Sequence, residues 1–92
     1  MTAGRVDVVV YGAPDCCLCD EAKAVLRPAA ERLGFDLREV DISTDPELEA
    51  RYRVEIPVVE VDGRRAFRYR VPEAALERVV AAAQAHRSAA AS

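Results

Sequence analysis

The spacing of apolar residues changes several times along this chain, and each change marks an element. Val6, Val8 and Val10, with Val9 and Tyr11 between them, form a short run that is apolar on both faces, the pattern of a central strand covered on two sides. Gly12-Ala13-Pro14-Asp15 breaks the run. From Cys16 onward Leu18, Ala22, Val25, Leu26, Ala29 and Leu33 recur at intervals of three and four, which predicts a helix with one buried stripe. Gly34 stands where a left-handed C-terminal cap belongs. Pro28 lies inside this helix without an N–H to bond the carbonyl of Ala24, so a kink is expected there.

The stretch "FDLREVDI" alternates less regularly, but its β-branched end and the turn residues after it predict a second strand. Asp45-Pro46 then reads as a helix start, Asp45 as cap and Pro46 at the first helical position, with the helix running through Leu48 to about Tyr52. A hairpin follows: Val58 to Val61, an Asp62-Gly63 turn, then Arg65 to Arg70. Pro72-Glu73 opens a last helix carrying Leu76, Val79, Val80 and Ala83 at helical spacing, and "HRSAAAS" reads as a frayed tail.

The order β-α-β-α-β-β-α constrains the topology. Its first βαβ unit calls for a right-handed crossover between parallel strands, and the hairpin adds antiparallel ones. The expected architecture is an α/β fold, a mixed four-stranded sheet flanked by three helices with helices on both faces. At 92 residues there is room for one domain, taken as 1–86 with a flexible tail at 87–92.

Composition narrows the function. A formal net charge of −3 argues against nucleic acid as the main partner, since phosphate binding needs a basic surface. The opening "MTAGRVDVVVYG" has neither a charged leader nor a long apolar core, and no run approaches a membrane span. A cytoplasmic protein with no membrane partner is expected. In that compartment clustered cysteines are more often catalytic or metal-binding than structural.

All three cysteines lie together, at Cys16, Cys17 and Cys19. Residues three apart share one side of a helix, which makes Cys16 and Cys19 the best-placed pair for a disulfide, whereas Cys17 and Cys19 point apart and vicinal Cys16-Cys17 would be strained. Cys16 falls at the helix N-terminus, where unpaired N–H groups and a partial positive charge favour a thiolate. Asp15, Asp20 and Glu21 oppose that effect. Cys19, one turn inside, is expected to be more buried and to act second. Two other readings stand beside this one. Free cysteines serve as small buried hydrophobes, and a zinc site wants four ligands where the only histidine, His86, lies far along the chain.

With these motifs in place the sequence resembles the thioredoxin superfamily, and most closely its small glutaredoxin-like proteins. The resemblance runs from Val6 to about Ala83: a strand, "APDCCLC" opening a long helix, "LREVDI", "DPELEARYRVEIPVV", an Asp-Gly hairpin and a final helix. It implies that Pro57 is cis and lies against the dithiol, that Ile56 pairs its backbone with a substrate cysteine, and that Tyr11 and Pro14 flank the groove. Two stretches depart from the glutathione-using members, which carry a basic residue before the active-site loop and a Gly-Gly followed by Asp before the last helix. Here those regions read "YGAPD" and "FRYRVPEAAL". Arg51, Arg53, Arg68 and Arg70 would either hold substrate carboxylates or solvate an edge strand.

The function implied is that of a thiol-disulfide oxidoreductase. Cys16 would attack a protein or low-molecular-weight disulfide, or a mixed disulfide, and Cys19 would resolve it. Electrons would come from glutathione or a thioredoxin-reductase-type donor, with no bound cofactor or metal. The alternative is a non-catalytic thioredoxin-fold binding module that shares a metal or iron-sulfur cluster with a partner chain through Cys16.

Overall fold

The valine run places its strand in the middle of a sheet. In the computed structural model, which describes residues 5–91 and side chains to residue 87, that strand is β1, Asp7–Gly12. On one side it pairs in parallel with β2, Asp36–Asp41, with Val8 opposite Leu37. On the other it pairs antiparallel with β3, Val58–Val61, with Val10 opposite Val59. β4, Arg64–Arg68, closes the hairpin and leaves the strand order β2-β1-β3-β4.

Each face of the sheet has its own core. Val8 and Val10 pack with Val59 and Val61 against Leu26 of α1, Cys17–Leu33, and Leu76 of α3, Glu73–Ala91. The other core joins Val58 to Ala13, Ile42 and Tyr52, with Leu48 of α2, Pro46–Tyr52, packed against it. The double-sided apolar run is thereby explained.

Local chemistry sets the element ends. Gly34 adopts φ 78° and donates its N–H to Ala30 O at 2.9 Å, closing α1 with the left-handed cap that glycine takes without steric cost. Asp45 accepts the Glu47 N–H at 2.9 Å with Pro46 beside it, starting α2 after a short 3-10 turn at Ile42–Thr44. Asp62 and Gly63 both have positive φ, 50° and 83°, which matches a hairpin turn that follows strand twist.

Two details differ from the sequence-based expectation. β4 stops at Arg68 rather than Arg70, because Tyr69 turns to φ 69° and donates its N–H to Pro57 O at 2.9 Å. α3 continues to Ala91 through most of the stretch taken as a tail, where alanine, the strongest helix former, predominates. Arg87 helps hold that end by pairing with Asp62 at 2.7 Å. Residue 92 and the opening residues 1–4 lie outside the described residues. Among the described residues no helix is long and apolar enough to cross a membrane.

Candidate dithiol site

The three cysteines sit where β1 hands over to α1. After Gly12 the chain leaves the sheet, and the Cys16 N–H donates to Ala13 O at 3.3 Å. Cys16 then takes the extended backbone of a cap residue, φ −112° and ψ 112°, and its Sγ accepts the Cys19 N–H at 3.2 Å. A helix start leaves its first N–H groups unpaired, so a sulfur in the cap position meets donors that would stabilise negative charge on it.

Exposure separates the three thiols, all of which are free. Cys16 is half-buried, Cys17 is exposed and Cys19 is buried. Burial pushes the Cys19 thiol up to about 12, and its hydrogen bond with Cys16 adds to the shift, while a bond from the Ala13 backbone and the charge of Lys23 offset part of it. Cys19 therefore stays protonated at neutral pH.

Gly12 makes this packing possible. A Cβ at that position would lie 2.9 Å from Cys19 Sγ, closer than real Cβ contacts come. In the sequence Gly12 reads as a strand breaker; in the structure it is also a place where any side chain would collide with the buried thiol.

The segment expected to meet substrate rests on the same small core as Cys16. Ile56-Pro57 is a cis peptide. Pro57 is fully buried, whereas Ile56 is half-buried. Ile56 and Cys16 pack against the same small core of Ala13, Ile42, Tyr52 and Val58, so one apolar support carries both the expected nucleophile and the expected substrate-pairing residue. Pro14 is exposed in the loop that precedes Cys16.

Tyr11 rests on that core too, but its hydroxyl is committed elsewhere. Its ring stacks on Tyr52 at 4.5 Å between centroids. Glu60 accepts from both hydroxyls, from Tyr11 at 3.4 Å and from Tyr52 at 3.3 Å. Burial first and the Glu60 charge second raise the Tyr11 pKa above the ordinary phenol value. The alternation of β3 marks Glu60 as facing the Val58 side, yet nothing in the sequence pairs it with two tyrosines.

The four arginines considered as carboxylate holders already have partners. Arg53 lies 3.9 Å from Asp15 and 3.8 Å from Glu49, Arg68 is 3.4 Å from Glu55, and Arg70 is 3.4 Å from Glu21. Arg51 stands over the Tyr52 ring at 5.8 Å. These pairs are exposed and individually weak, so they are exchangeable. Among the described residues no group of three or more His, Cys, Asp or Glu side chains is arranged to hold a metal ion.

Comparisons with known proteins bear on the family and the fold. A family model described as "Glutaredoxin-like domain (DUF836)" matches residues 7–81. A protein of X. campestris, XcR50, is 27% identical, superimposes with a TM-score of 0.67, and is covered over 96% of its length by 82% of this chain. Thioredoxin from Fasciola hepatica is 25% identical with a TM-score of 0.62, matching 86% of this chain and 81% of that one. The Nitrosomonas europaea protein Ne2328, at 24% identity and a TM-score of 0.69, shares the fold over 83% of this chain and 92% of its own.

Proposed function

The chain belongs to the glutaredoxin-like domain family (DUF836) and has the thioredoxin fold, and from that premise we propose that it is a thiol-disulfide oxidoreductase in which Cys16 attacks and Cys19 resolves. One observation carries the reading: Cys16 Sγ, half-buried at a helix start, accepts the N–H of a buried Cys19 one turn along. The accessible sulfur is the one placed to carry charge, and the inaccessible one is its neighbour.

The reaction balances in two exchanges. In the first, the Cys16 thiolate attacks one sulfur of a substrate disulfide; a Cys16–substrate bond forms, the substrate S–S bond breaks, and the departing thiolate takes a proton from water. In the second, Cys19 attacks Cys16 Sγ, the mixed disulfide breaks, and the Cys19 proton ends on the second departing thiol. The substrate gains two electrons and two protons, and a Cys16–Cys19 disulfide remains.

The environment of Cys19 orders these steps. While Cys16 is free, its hydrogen bond and charge help keep the Cys19 proton in place. Once Cys16 is in a mixed disulfide, both influences weaken and only burial opposes ionisation. The resolver thus loses part of what holds its proton once there is something to resolve, while burial, the largest cause, remains. Ile56, half-buried before the buried Pro57, offers its backbone to the incoming substrate. Glutathione or a thioredoxin-reductase-type donor returns the electrons in the cytoplasm, and no bound cofactor or metal takes part.

The test is stoichiometric. Protein reduced beforehand and freed of reductant should reduce one equivalent of a disulfide peptide per chain, and the Cys16→Ser variant should reduce none. Full turnover by Cys16→Ser would remove the assignment.

A further inference from the structure

Tyr69 is a bulky residue held at φ 69°, a strained region for a non-glycine residue that persists only where surrounding contacts impose it. Those contacts are specific. The Tyr69 N–H donates to Pro57 O at 2.9 Å and its hydroxyl donates to Val54 O at 3.3 Å, so one residue grips the backbone on both sides of Ile56. Arg68 lies over the ring at 5.5 Å and supports it from behind. The strained residue is thereby a clasp on the segment that shares its supporting core with Cys16.

Beyond the clasp lies a groove. It runs between α1 and the link from β4 to α3, and is lined by Leu18, Ala22 and Val25 on one wall and by Tyr69, Val71 and Pro72 on the other. Leu18 stands between Cys17 and Cys19 in the first turn of α1, and Tyr69 bonds Pro57, so the groove borders both the turn that carries the cysteines and the cis-proline segment. Its volume is about 240 Å³. Sites that enclose a whole small molecule have roughly 300–1,000 Å³, so this one suits a single side chain.

Charge and exposure say what kind of side chain. Glu21 and Arg70 stand together at the rim, 3.4 Å apart, and offer an incoming anion no net attraction. Among the described residues Val54 and Tyr69 are large hydrophobics left exposed, at 83% and 43%, and they are joined by the clasp. An apolar body lying over them continues naturally into the apolar groove.

We propose that Tyr69 and this groove make the protein selective for polypeptide disulfides in which an apolar residue adjoins the attacked cysteine. The inference rests on the disulfide-exchange reading and adds its substrate class. The chain of such a substrate lies extended along Ile56, its cysteine sulfur meets Cys16 Sγ, and the neighbouring apolar side chain enters between Leu18 and Val71. Tyr69 acts as wall and as positioning residue: it touches the substrate side chain and fixes the backbone that pairs with it. The exchange itself is the balanced one given above.

The test uses pre-reduced protein and three oxidants: a peptide disulfide with Leu beside cysteine, the same peptide with Asp there, and oxidised glutathione. Second-order rate constants for oxidation of the protein are compared. The Leu peptide should react at least about tenfold faster than the other two, the size of discrimination one apolar side chain supplies. Val25→Asp should abolish that ratio by placing a charge in the groove. Tyr69→Gly, whose backbone suits φ 69° and which therefore folds, should lower it as well, whereas Tyr69→Phe, which keeps the wall, should retain most of it. Equal rates for the three oxidants in the unaltered protein, or a ratio untouched by Val25→Asp and Tyr69→Gly, overturns the groove assignment while leaving the oxidoreductase reading intact. Failure to oxidise the dithiol with any of the three overturns both.

Discussion

The backbone N–H of Cys19 donates to Sγ of Cys16 at 3.2 Å, so the first cysteine caps the helix that contains the second. Serine is among the best residues for that cap. The Cys16→Ser variant should therefore melt at or above the unaltered protein in a thermal scan while losing disulfide reduction to background. A large loss of stability together with activity would mean that Cys16 is held mainly for the fold.

The Cys19→Ser variant separates attack from resolution. Cys16 can still open a disulfide, but nothing releases it, so a stable adduct on Cys16 should build up to one equivalent in intact-mass measurements. Undiminished multiple turnover with a dithiol reductant would show that resolution does not need Cys19.

Thiol accessibility gives a third prediction. With its pKa pushed up to about 12, Cys19 stays a thiol at pH 7, and it is buried as well. Brief iodoacetamide treatment of the folded, reduced protein should label Cys17 and Cys16 and spare Cys19. Urea should expose all three. Peptide mapping that finds Cys19 labelled first in the folded state would contradict the burial that orders the mechanism.

Gly12→Ala should disturb the dithiol from behind. The added methyl would stand 2.9 Å from Cys19 Sγ, and strand backbone and core thiol have little room to part. Overpacking of this kind costs about 1–3 kcal/mol, to be read as a lower Tm in the reduced protein. An unchanged Tm would show that α1 shifts freely relative to β1.

Most of the fold was legible because its signals are local. Gly34, Asp45-Pro46 and Asp62-Gly63 each announce an element end through their own backbone preferences, and the valine run announces a central strand. The spacing of Cys16 and Cys19 likewise exposed the candidate site. What was not legible depends on contacts across the sheet. Gly12 lies next to Cys19 only after α1 packs down, Glu60 joins Tyr11 to Tyr52 across two strands and a helix, and Tyr69 is forced into its left-handed turn by acceptors that precede it by many residues. No propensity of tyrosine signals that turn. The end of α3 is hidden for a different reason: a small-residue run resembles a tail in composition, while alanine favours helix once a long helix leads into it.

Asp62 links the hairpin turn to both chain ends and sets a pH dependence. Its carboxylate bonds Arg87, first in influence, and the Asp7 N–H, and together these hold its pKa below the ordinary value against a smaller effect of burial. A depressed carboxylate pKa stabilises the folded state above the unfolded-state pKa, and that contribution disappears as pH falls through the folded one. Asp62→Asn should thus lower Tm at pH 7, by an amount consistent with ~1 kcal/mol or less for a partly exposed pair. The difference between variant and parent should shrink as the pH falls below the ordinary aspartate range, and a gap that stays constant with pH would assign the effect to turn geometry instead.

The most direct measurement equilibrates the protein with glutathione buffers of graded potential, quenches with an alkylating reagent, and maps each cysteine by mass spectrometry. The account predicts a reversible Cys16–Cys19 disulfide that titrates as a two-electron couple, with Cys17 alkylated throughout. A protein that forms no reversible Cys16–Cys19 disulfide at any potential would contradict it.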